Sequence, residues 1–258
     1  MSEVYMVTMP RENTAKEFNA LMRVFRHYDI HKWIVGAETG NGGYKHWQIR
    51  MEWRLDFKIL KILFPRGHIE KANNSEKAWQ YEAKEGFYWK SWDRKENRQQ
   101  RFGAWRYSQE RIYEYLQSTN DREVVVWYDE RGCCGKSWFT RSLWEKGMAY
   151  FTVADSSVKT LVQDIASEYL KNGWRPIVCI DIPRAAKWTT ELYEAIERIK
   201  DGLIKDPRYS SASVNISGVK VLICTNSRPK LDKLSFDRWK IVTQDELEIE
   251  ARFAGRVP

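Results

Sequence analysis

Short apolar segments alternate with helical patterns through the second half of the chain, and this alternation is the strongest constraint on its fold. The segments are VVVWYD, AYFTV, IVCIDI and VKVLICTN, at residues 124–129, 149–153, 177–182 and 219–226. Segments of this kind are typical of strands buried on both faces. Strands that alternate with helices form a mostly parallel sheet, because a parallel partner requires a crossover connection. The sequence therefore predicts an α/β domain over 119–258.

A glycine-rich segment follows the first of these strands and precedes a predicted helix. Residues 129–137 read Asp-Glu-Arg-Gly-Cys-Cys-Gly-Lys-Ser. In a phosphate-binding loop, backbone N–H groups close around the phosphates, the lysine reaches the β- and γ-phosphates, and the serine coordinates Mg²⁺. The residues expected to bind nucleotide here are Gly132, Cys133, Cys134, Gly135, Lys136 and Ser137. Glu130 replaces the usual first glycine, and a chance Gly-Lys-Ser at a helix start is the alternative.

Two later strands end in side chains that suit nucleotide hydrolysis. Asp181 ends one buried strand, where a carboxylate can organise Mg²⁺, and Asn226 ends another, where an amide can orient the attacking water. Taken alone, an Asp or Asn at a strand end is more often a turn residue or a helix cap. Their order after the glycine-rich loop favours a nucleoside triphosphatase.

The first half of the chain has a different pattern, which predicts a small α+β domain over 1–95. Predicted strands cover 3–9, 32–37, 45–53 and 68–72, and predicted helices begin at Thr14 and cover 55–63 and 75–84. Thr14 with Glu17 forms a capping-box pattern at the start of the first helix. The following stretch, 96–118, is dominated by charge and is predicted to be a linker or helical connector that could help to hold an oligomer together.

Polar and apolar residues alternate strictly in the strand predicted over 45–53. One face carries Trp47, Ile49, Met51 and Trp53, and the other carries His46, Gln48, Arg50 and Glu52. We expect a polar face displayed on the sheet, with His46 and Gln48 side by side as two ligands of one ion require. The alternative is that they are only exposed polar residues of an edge strand.

Composition favours a nucleic-acid partner. The 43 Lys and Arg exceed the 35 Asp and Glu, which gives a net charge of +8. Thirteen Trp and thirteen Tyr add aromatic faces on which unpaired bases stack. The four cysteines fit neither a zinc site nor a disulfide framework, and a signal peptide or membrane-spanning run is not evident. We expect a soluble intracellular protein with no membrane partner.

The second half resembles the AAA+-type superfamily-three helicase domain of Rep proteins, the replication initiators of circular single-stranded DNA viruses and related plasmids. The resemblance rests on Gly132 to Ser137, on Ile180 to Arg184 and on Cys224 to Asn226. Where that family often has a second acidic residue, Ile182 follows Asp181. The family's DNA-contacting hairpin would correspond to Lys205, Arg208, Tyr209 and Lys220, for which a solvated basic loop is the alternative.

The first half resembles the HUH endonuclease domain of the same proteins, an α+β fold with an antiparallel sheet and helices. Met6 to Pro10 fits its opening strand loosely, and His46-Trp47-Gln48 matches a variant in which Gln replaces the second His. Glu38 resembles the acidic third ligand. One imidazole with two oxygen donors favours Mg²⁺ or Mn²⁺ over zinc.

The segment Tyr81-Glu82-Ala83-Lys84 has the family's Y-x-x-K spacing. Residues three apart share a helix face, so the Tyr81 hydroxyl and the Lys84 ammonium can address one phosphate. The resemblance implies that Tyr81 forms a covalent 5′-phosphotyrosine and that Lys84 stabilises charge near the phosphate. Tyr88 is a competing candidate for the nucleophile.

Together these resemblances imply an enzyme that initiates rolling-circle replication. It would nick and join single-stranded DNA at an origin stem-loop, unwind or translocate along DNA with ATP, and cooperate with host replication machinery. We expect it in the host nucleus if the host is eukaryotic and otherwise in the cytoplasm. Arg238 lies where the helicase family places an arginine finger, which implies a head-to-tail ring, a homo-hexamer; pairing with Asp237 or another surface carboxylate is the alternative. The compact length and the His-Trp-Gln variant resemble smacovirus-like Reps.

Two other functions fit the same features. One is a P-loop ATPase whose basic N-terminal domain only binds nucleic acid, with RNA as a possible ligand. The other is a non-enzymatic DNA-binding protein with a degenerate nucleotide site, to which Glu130 and the missing second acidic residue point.

Overall fold

The computed structural model describes residues 2–154, 158–206 and 212–256. The chain divides into two compact units, Met1–Phe102 and Gly103–Pro258. The segment 96–118, which was expected to be a linker or a helical connector, is largely helical and is shared between them. Its first part belongs to a helix of the first unit and its second part to a helix of the second.

The first unit is built on an antiparallel sheet. Its strands are β1 (Glu3–Pro10), β2 (Trp33–Thr39), β3 (Lys45–Trp53), β4 (His68–Lys71) and β5 (Tyr88–Lys90). They are arranged in the order β4-β1-β3-β2-β5. The strand predicted over 45–53 has the same bounds in the structure, because its strict alternation buries one complete face.

Helices cover one face of this sheet. These helices are α1 (Thr14–His27) and α2 (Phe57–Leu63). Two further helices of this unit, α3 (Glu76–Trp79) and α4 (Lys95–Phe102), come later in the chain. The apolar face of β3 packs against Leu21 and Phe25 of α1 and Leu60 of α2. The predicted capping box is wrong, since Asn13 caps α1 by accepting a hydrogen bond from the Lys16 N–H.

The opposite face of the sheet differs from the exposed polar surface that the alternation predicts. Gln48 and Arg50 of β3 are each only 5% exposed. A smaller core of Val4, Ile34, Trp79 and Tyr88 lies on this side. The polar residues are therefore enclosed by the chain around α3, and their burial requires each to have a polar partner.

The second unit has the parallel sheet that the apolar segments predict. Its strands are β6 (Val124–Tyr128), β7 (Ala149–Val153), β8 (Ile177–Ile182), β11 (Lys220–Thr225) and β12 (Trp239–Thr243), in the order β12-β6-β11-β8-β7. A separate antiparallel pair is formed by β9 (Leu203–Asp206) and β10 (Ala212–Asn215).

Helices cover both faces of the parallel sheet. They are α5 (Tyr107–Ser118), α6 (Lys136–Glu145), α7 (Val158–Asn172), α8 (Thr190–Asp201) and α9 (Gln244–Phe253). One core contains residues of α7 and α8, and the other contains residues of α5, α6 and α9. Ile112 and Leu116 of α5 are fully buried in the second core, so this part of the expected linker is integral to the domain.

In the described ranges no helix has the length and apolar character needed to cross a membrane. All four cysteines are free.

Candidate functional sites

The first site lies where β2 and β3 pair. Glu38 and His46 are direct cross-strand partners, so their side chains point to the same face of the sheet. Nε2 of His46 lies 3.4 Å from Oε2 of Glu38. Exposed Tyr44 stacks on the His46 ring with centroids 5.6 Å apart. The pairing thus brings together two of the three residues predicted to bind metal.

The third predicted ligand, Gln48, lies on the same face and is paired with Gly36. Its Oε1 accepts a hydrogen bond from the Thr8 hydroxyl at 2.8 Å, a partner that the sequence did not single out. Among the residues that the structure describes, Oε1 of Glu38 is buried and has no hydrogen-bond partner. A buried carboxylate oxygen with no donor fits a cation, and the hard oxygen donors suit Mg²⁺ or Mn²⁺.

No cluster of three or more His, Cys, Asp or Glu side chains suited to a metal occurs in the described part of the chain. The donor set here has one imidazole, one carboxylate and one amide. An ion at this site would therefore depend on the amide oxygen of Gln48 or on ligands from solvent or substrate.

Lys84 contacts both the Glu38 carboxylate and the ring of Tyr81. The helix predicted over 75–84 is split into α3 and a 3-10 helix at Tyr81–Ala83. Nζ of Lys84 donates to Oε2 of Glu38 at 2.5 Å and lies 3.8 Å from the Tyr81 ring centroid. Partial burial opposes the charged form of Lys84, but the bonds to Glu38 and Tyr81 raise its pKa above the usual value. The spacing of three residues thus brings the Lys84 ammonium close to the Tyr81 side chain, as the sequence predicts.

Accessibility separates the two tyrosines that compete for the nucleophile. Tyr81 is 51% exposed, whereas Tyr88 is 7% exposed. The hydroxyl of Tyr88 accepts a hydrogen bond from Arg101 at 2.9 Å, within the interior of the unit. Exposure of the Tyr81 side chain makes it accessible to a phosphodiester, whereas Tyr88 is enclosed, and this favours Tyr81.

The second site is the loop between β6 and α6. Gly132, Cys133 and Gly135 have positive φ angles of 86°, 63° and 93°, which turn the backbone around the loop. Lys136 begins α6 and is buried, and Ser137 follows it on the exposed side. This is the strand–loop–helix context that a phosphate-binding loop requires.

Asp129 organises this loop, although the sequence did not single it out. Its carboxylate accepts hydrogen bonds from the N–H groups of Gly132 at 2.7 Å and Arg131 at 3.3 Å. Its Oδ2 lies 3.8 Å from Nζ of Lys136. Burial opposes ionisation of Asp129, but the Gly132 bond and the Lys136 charge lower its pKa below the usual value. Its position directly after a buried strand was the available signal.

Residues after two neighbouring strands meet the same loop. The Asn226 amide, following β11, donates to the carbonyl oxygen of Asp129. Nη2 of Arg184, following β8, donates to the carbonyl oxygens of Glu130 at 3.0 Å and Arg131 at 2.9 Å. Asp181 near the end of β8 is half-buried, and burial raises its pKa while Lys136 opposes that effect. The carboxyl ends of β6, β8 and β11 therefore converge, as in other parallel sheets.

The predicted arginine finger and the predicted DNA-contacting residues lie away from the phosphate-binding loop or outside the described residues. Arg238 is buried, and its Nη2 lies 3.2 Å from carboxylate oxygens of Glu197 and of Asp201, both on α8. Lys220 donates to the carbonyl oxygen of Thr119. Lys205 is exposed on β9. The predicted DNA contacts Arg208 and Tyr209 lie outside the described residues.

Both sites belong to a chain with relatives among viral and satellite replication proteins. Para-Rep C10 of Milk vetch dwarf C10 alphasatellite is 28% identical over 137 residues, covering 52% of this chain and 46% of that protein. Para-Rep C3 of Milk vetch dwarf C3 alphasatellite is 25% identical over an alignment of 252 positions, covering 78% and 86%.

A third relative is the master replication protein of Banana bunchy top virus. It is 27% identical to this chain over 142 residues, and the alignment covers 46% of that protein. The chain spans about half the length of the first and third of these relatives. No protein-family profile matches it.

Proposed function

We propose that this chain, a relative of the Rep proteins of circular single-stranded DNA viruses and alphasatellites, initiates rolling-circle replication. Its first unit would cleave and join single-stranded DNA at an origin stem-loop. Its second unit would hydrolyse ATP to unwind DNA or move along it. The observation that carries the proposal is a series of contacts: Lys84 lies over the ring of exposed Tyr81 and donates to Glu38, and Glu38 lies against His46 on one sheet face.

Cleavage would proceed by transfer of a phosphoryl group to tyrosine. The Tyr81 oxygen attacks the scissile phosphorus and loses its proton, and the bond from phosphorus to the 3′-oxygen breaks. The products are a 5′-phosphotyrosine and a free 3′-hydroxyl, which takes up a proton and can prime a host polymerase. Attack by a 3′-hydroxyl on the phosphotyrosine reverses these bonds and joins two DNA ends.

Two further groups assist this transfer. Lys84 lies close enough to the Tyr81 ring to place positive charge near the phosphate. His46, Glu38 and Gln48 would hold Mg²⁺ or Mn²⁺, which supplies Lewis-acid polarisation of the scissile phosphate when it is bound.

The second unit would bind Mg²⁺-ATP at the loop that precedes α6. Lys136 would contact the β- and γ-phosphates, and Ser137 and Asp181 would hold the ion. Lys136 must then leave the Asp129 carboxylate that lies 3.8 Å away. Asn226 would orient water or the γ-phosphate from its place beside the loop.

The test is a search for a covalent protein–DNA adduct. Purified protein is incubated with Mn²⁺ and a 5′-labelled and a 3′-labelled stem-loop oligonucleotide, and the products are separated under denaturing conditions. The 3′-labelled fragment should remain attached to wild-type protein, whereas Tyr81→Phe should bind DNA without forming an adduct, because only the nucleophilic oxygen is removed. Tyr44→Phe is the matched control, since Tyr44 is also exposed and its ring stacks on His46.

Peptide mapping should locate the DNA on Tyr81. An adduct on Tyr88, or full activity of Tyr81→Phe, would contradict the assignment. Protein that hydrolyses ATP but forms no adduct with any labelled strand would instead be a P-loop ATPase with a non-catalytic nucleic-acid-binding domain.

A further inference from the structure

One guanidinium contacts both ends of the segment that carries Tyr81. Arg50 of β3 donates through Nε to both carboxylate oxygens of Glu82, at 3.0 and 3.1 Å. Its Nη1 donates to the carbonyl oxygen of Asn73 at 2.8 Å. Asn73 precedes α3 and Glu82 directly follows Tyr81, so Arg50 fixes the chain before and after the short helix.

A third contact holds the same turn against the sheet. A Cβ at Gly36 of β2 would lie 2.2 Å from the carbonyl oxygen of Glu82. Only glycine leaves room for the backbone to approach this closely. The backbone of Glu82 therefore rests on the strand that carries Glu38, two residues further along β2.

The orientation of Glu82 determines the orientation of its neighbour. The Glu82 side chain is fully buried and points to Arg50, whereas adjacent Tyr81 is 51% exposed. In a tight turn, fixing one side chain inward restricts the next one. The contacts of Arg50, Glu82 and Gly36 thus direct the Tyr81 ring outward beside Lys84.

Stability alone is a weak reason for such an ion pair. Removing two charges from water costs free energy, and a buried pair is often no more stabilising than well-packed apolar residues of similar volume. The planar Arg50 guanidinium is held in a defined direction, because its Nε bonds the Glu82 carboxylate and its Nη1 bonds the Asn73 carbonyl oxygen, and a hydrophobic contact lacks such direction. The pair is therefore suited to fixing geometry.

We propose that Arg50 and Glu82 are positioning residues that hold the Tyr81 hydroxyl in register with the Glu38–His46 face for attack on the phosphate. This inference rests on the proposed nuclease function of Tyr81. It assigns the pair no contact with DNA or metal, so its loss should lower the rate of the chemical step while binding persists. A displacement on the order of 1 Å can cost about 100-fold in rate.

The experiment compares two buried Arg–carboxylate pairs of the same unit. Glu82→Gln neutralises the partner of Arg50, and Asp93→Asn neutralises the partner of Arg101, whose Nη1 lies 2.6 Å from Oδ2 of Asp93. Single-turnover cleavage, DNA affinity and Mn²⁺ affinity are measured at a temperature where both variants are folded. Glu82→Gln should lose roughly 10- to 100-fold in cleavage rate with both affinities within about twofold of wild type. Asp93→Asn should cleave at the wild-type rate.

A double variant separates positioning from stability. Arg50→Met with Glu82→Met removes both charges, which should restore a thermal unfolding midpoint close to that of wild type. The cleavage rate should stay low, because no directional bond remains.

Three results would overturn the inference while wild type still forms its adduct. They are wild-type cleavage by Glu82→Gln, equal losses in Glu82→Gln and Asp93→Asn, and recovery of both midpoint and cleavage in the double variant. If wild type itself forms no adduct, the proposed nuclease function fails instead.

Discussion

Replacing Lys84 by methionine should tighten the binding of Mn²⁺ to the first unit. The Lys84 ammonium donates to Oε2 of Glu38 at 2.5 Å, and Glu38 is the carboxylate expected to bind the ion. A divalent ion must displace this ammonium or tolerate its positive charge nearby. Methionine keeps most of the length of the side chain and removes the charge, so the competition disappears.

The size of the effect follows from the exposure of the pair. A hydrogen bond to a charged group contributes ~1.5–3 kcal/mol, whereas an exposed ion pair contributes about 0–1 kcal/mol. The Glu38 side chain is 3% exposed, but that of Lys84 is 36% exposed, so solvent weakens the bond. We therefore assign about 1 kcal/mol to the Lys84–Glu38 bond, and its loss corresponds to roughly fivefold tighter binding of Mn²⁺. Cleavage should nevertheless fall, because the charge near the phosphate is lost.

The assay is a titration with Mn²⁺, in which binding is measured by calorimetry or by the electron paramagnetic resonance signal of the free ion. Lys77→Met is the matched control, since Lys77 is an exposed lysine of α3 and its loss changes the net charge equally. Weaker binding in Lys84→Met than in Lys77→Met would refute the reasoning and would mean that Lys84 orients Glu38 for the ion. Equal affinities in the two variants would refute it as well.

Three other predictions concern single residues. His46→Ala and Gln48→Ala should each weaken Mn²⁺ binding and cleavage, and both should leave ATP hydrolysis intact when the two activities are measured on one preparation. Lys136→Ala should abolish ATP hydrolysis in a phosphate-release assay and spare adduct formation; loss of both would argue against separate modules. Arg184→Ala should weaken ATP binding about tenfold, since bonds to the loop carbonyls are lost, and unchanged nucleotide affinity in fluorescence titration would contradict this role.

Much of the fold could be predicted because the burial of a strand determines the pattern of apolar residues in its sequence. Apolar and polar residues alternate in the strand over 45–53, which buries one complete apolar face. Apolar residues run continuously in the segments of the second unit, whose strands are buried on both faces of a parallel sheet. The resemblance to Rep proteins of circular single-stranded DNA viruses is confirmed at modest identity by the alphasatellite and Banana bunchy top virus relatives. The likeness to smacovirus Reps stays a prediction.

Contacts between distant segments could not be predicted in this way. The polar face of β3 was expected to be exposed, because alternation shows which residues share a face and not what covers it. Arg50 is buried by a segment that lies 23 to 32 residues later in the chain. Likewise, Asn13 rather than Thr14 caps α1, since both residue types cap well and one position separates them.

The position of Arg184 changes the case for an arginine supplied by a neighbouring subunit. Arg184 follows Asp181 closely in the sequence and lies against the loop within the same chain. Arg238, the expected finger, is buried and paired with Glu197 and Asp201, so a role in trans would require these bonds to break. Under the proposed ATPase function, Arg184 would be a candidate within the same subunit to stabilise transition-state charge, so hydrolysis chemistry by itself would not require a closed ring. The hexamer stays a prediction that rests on the resemblance to superfamily-three helicases.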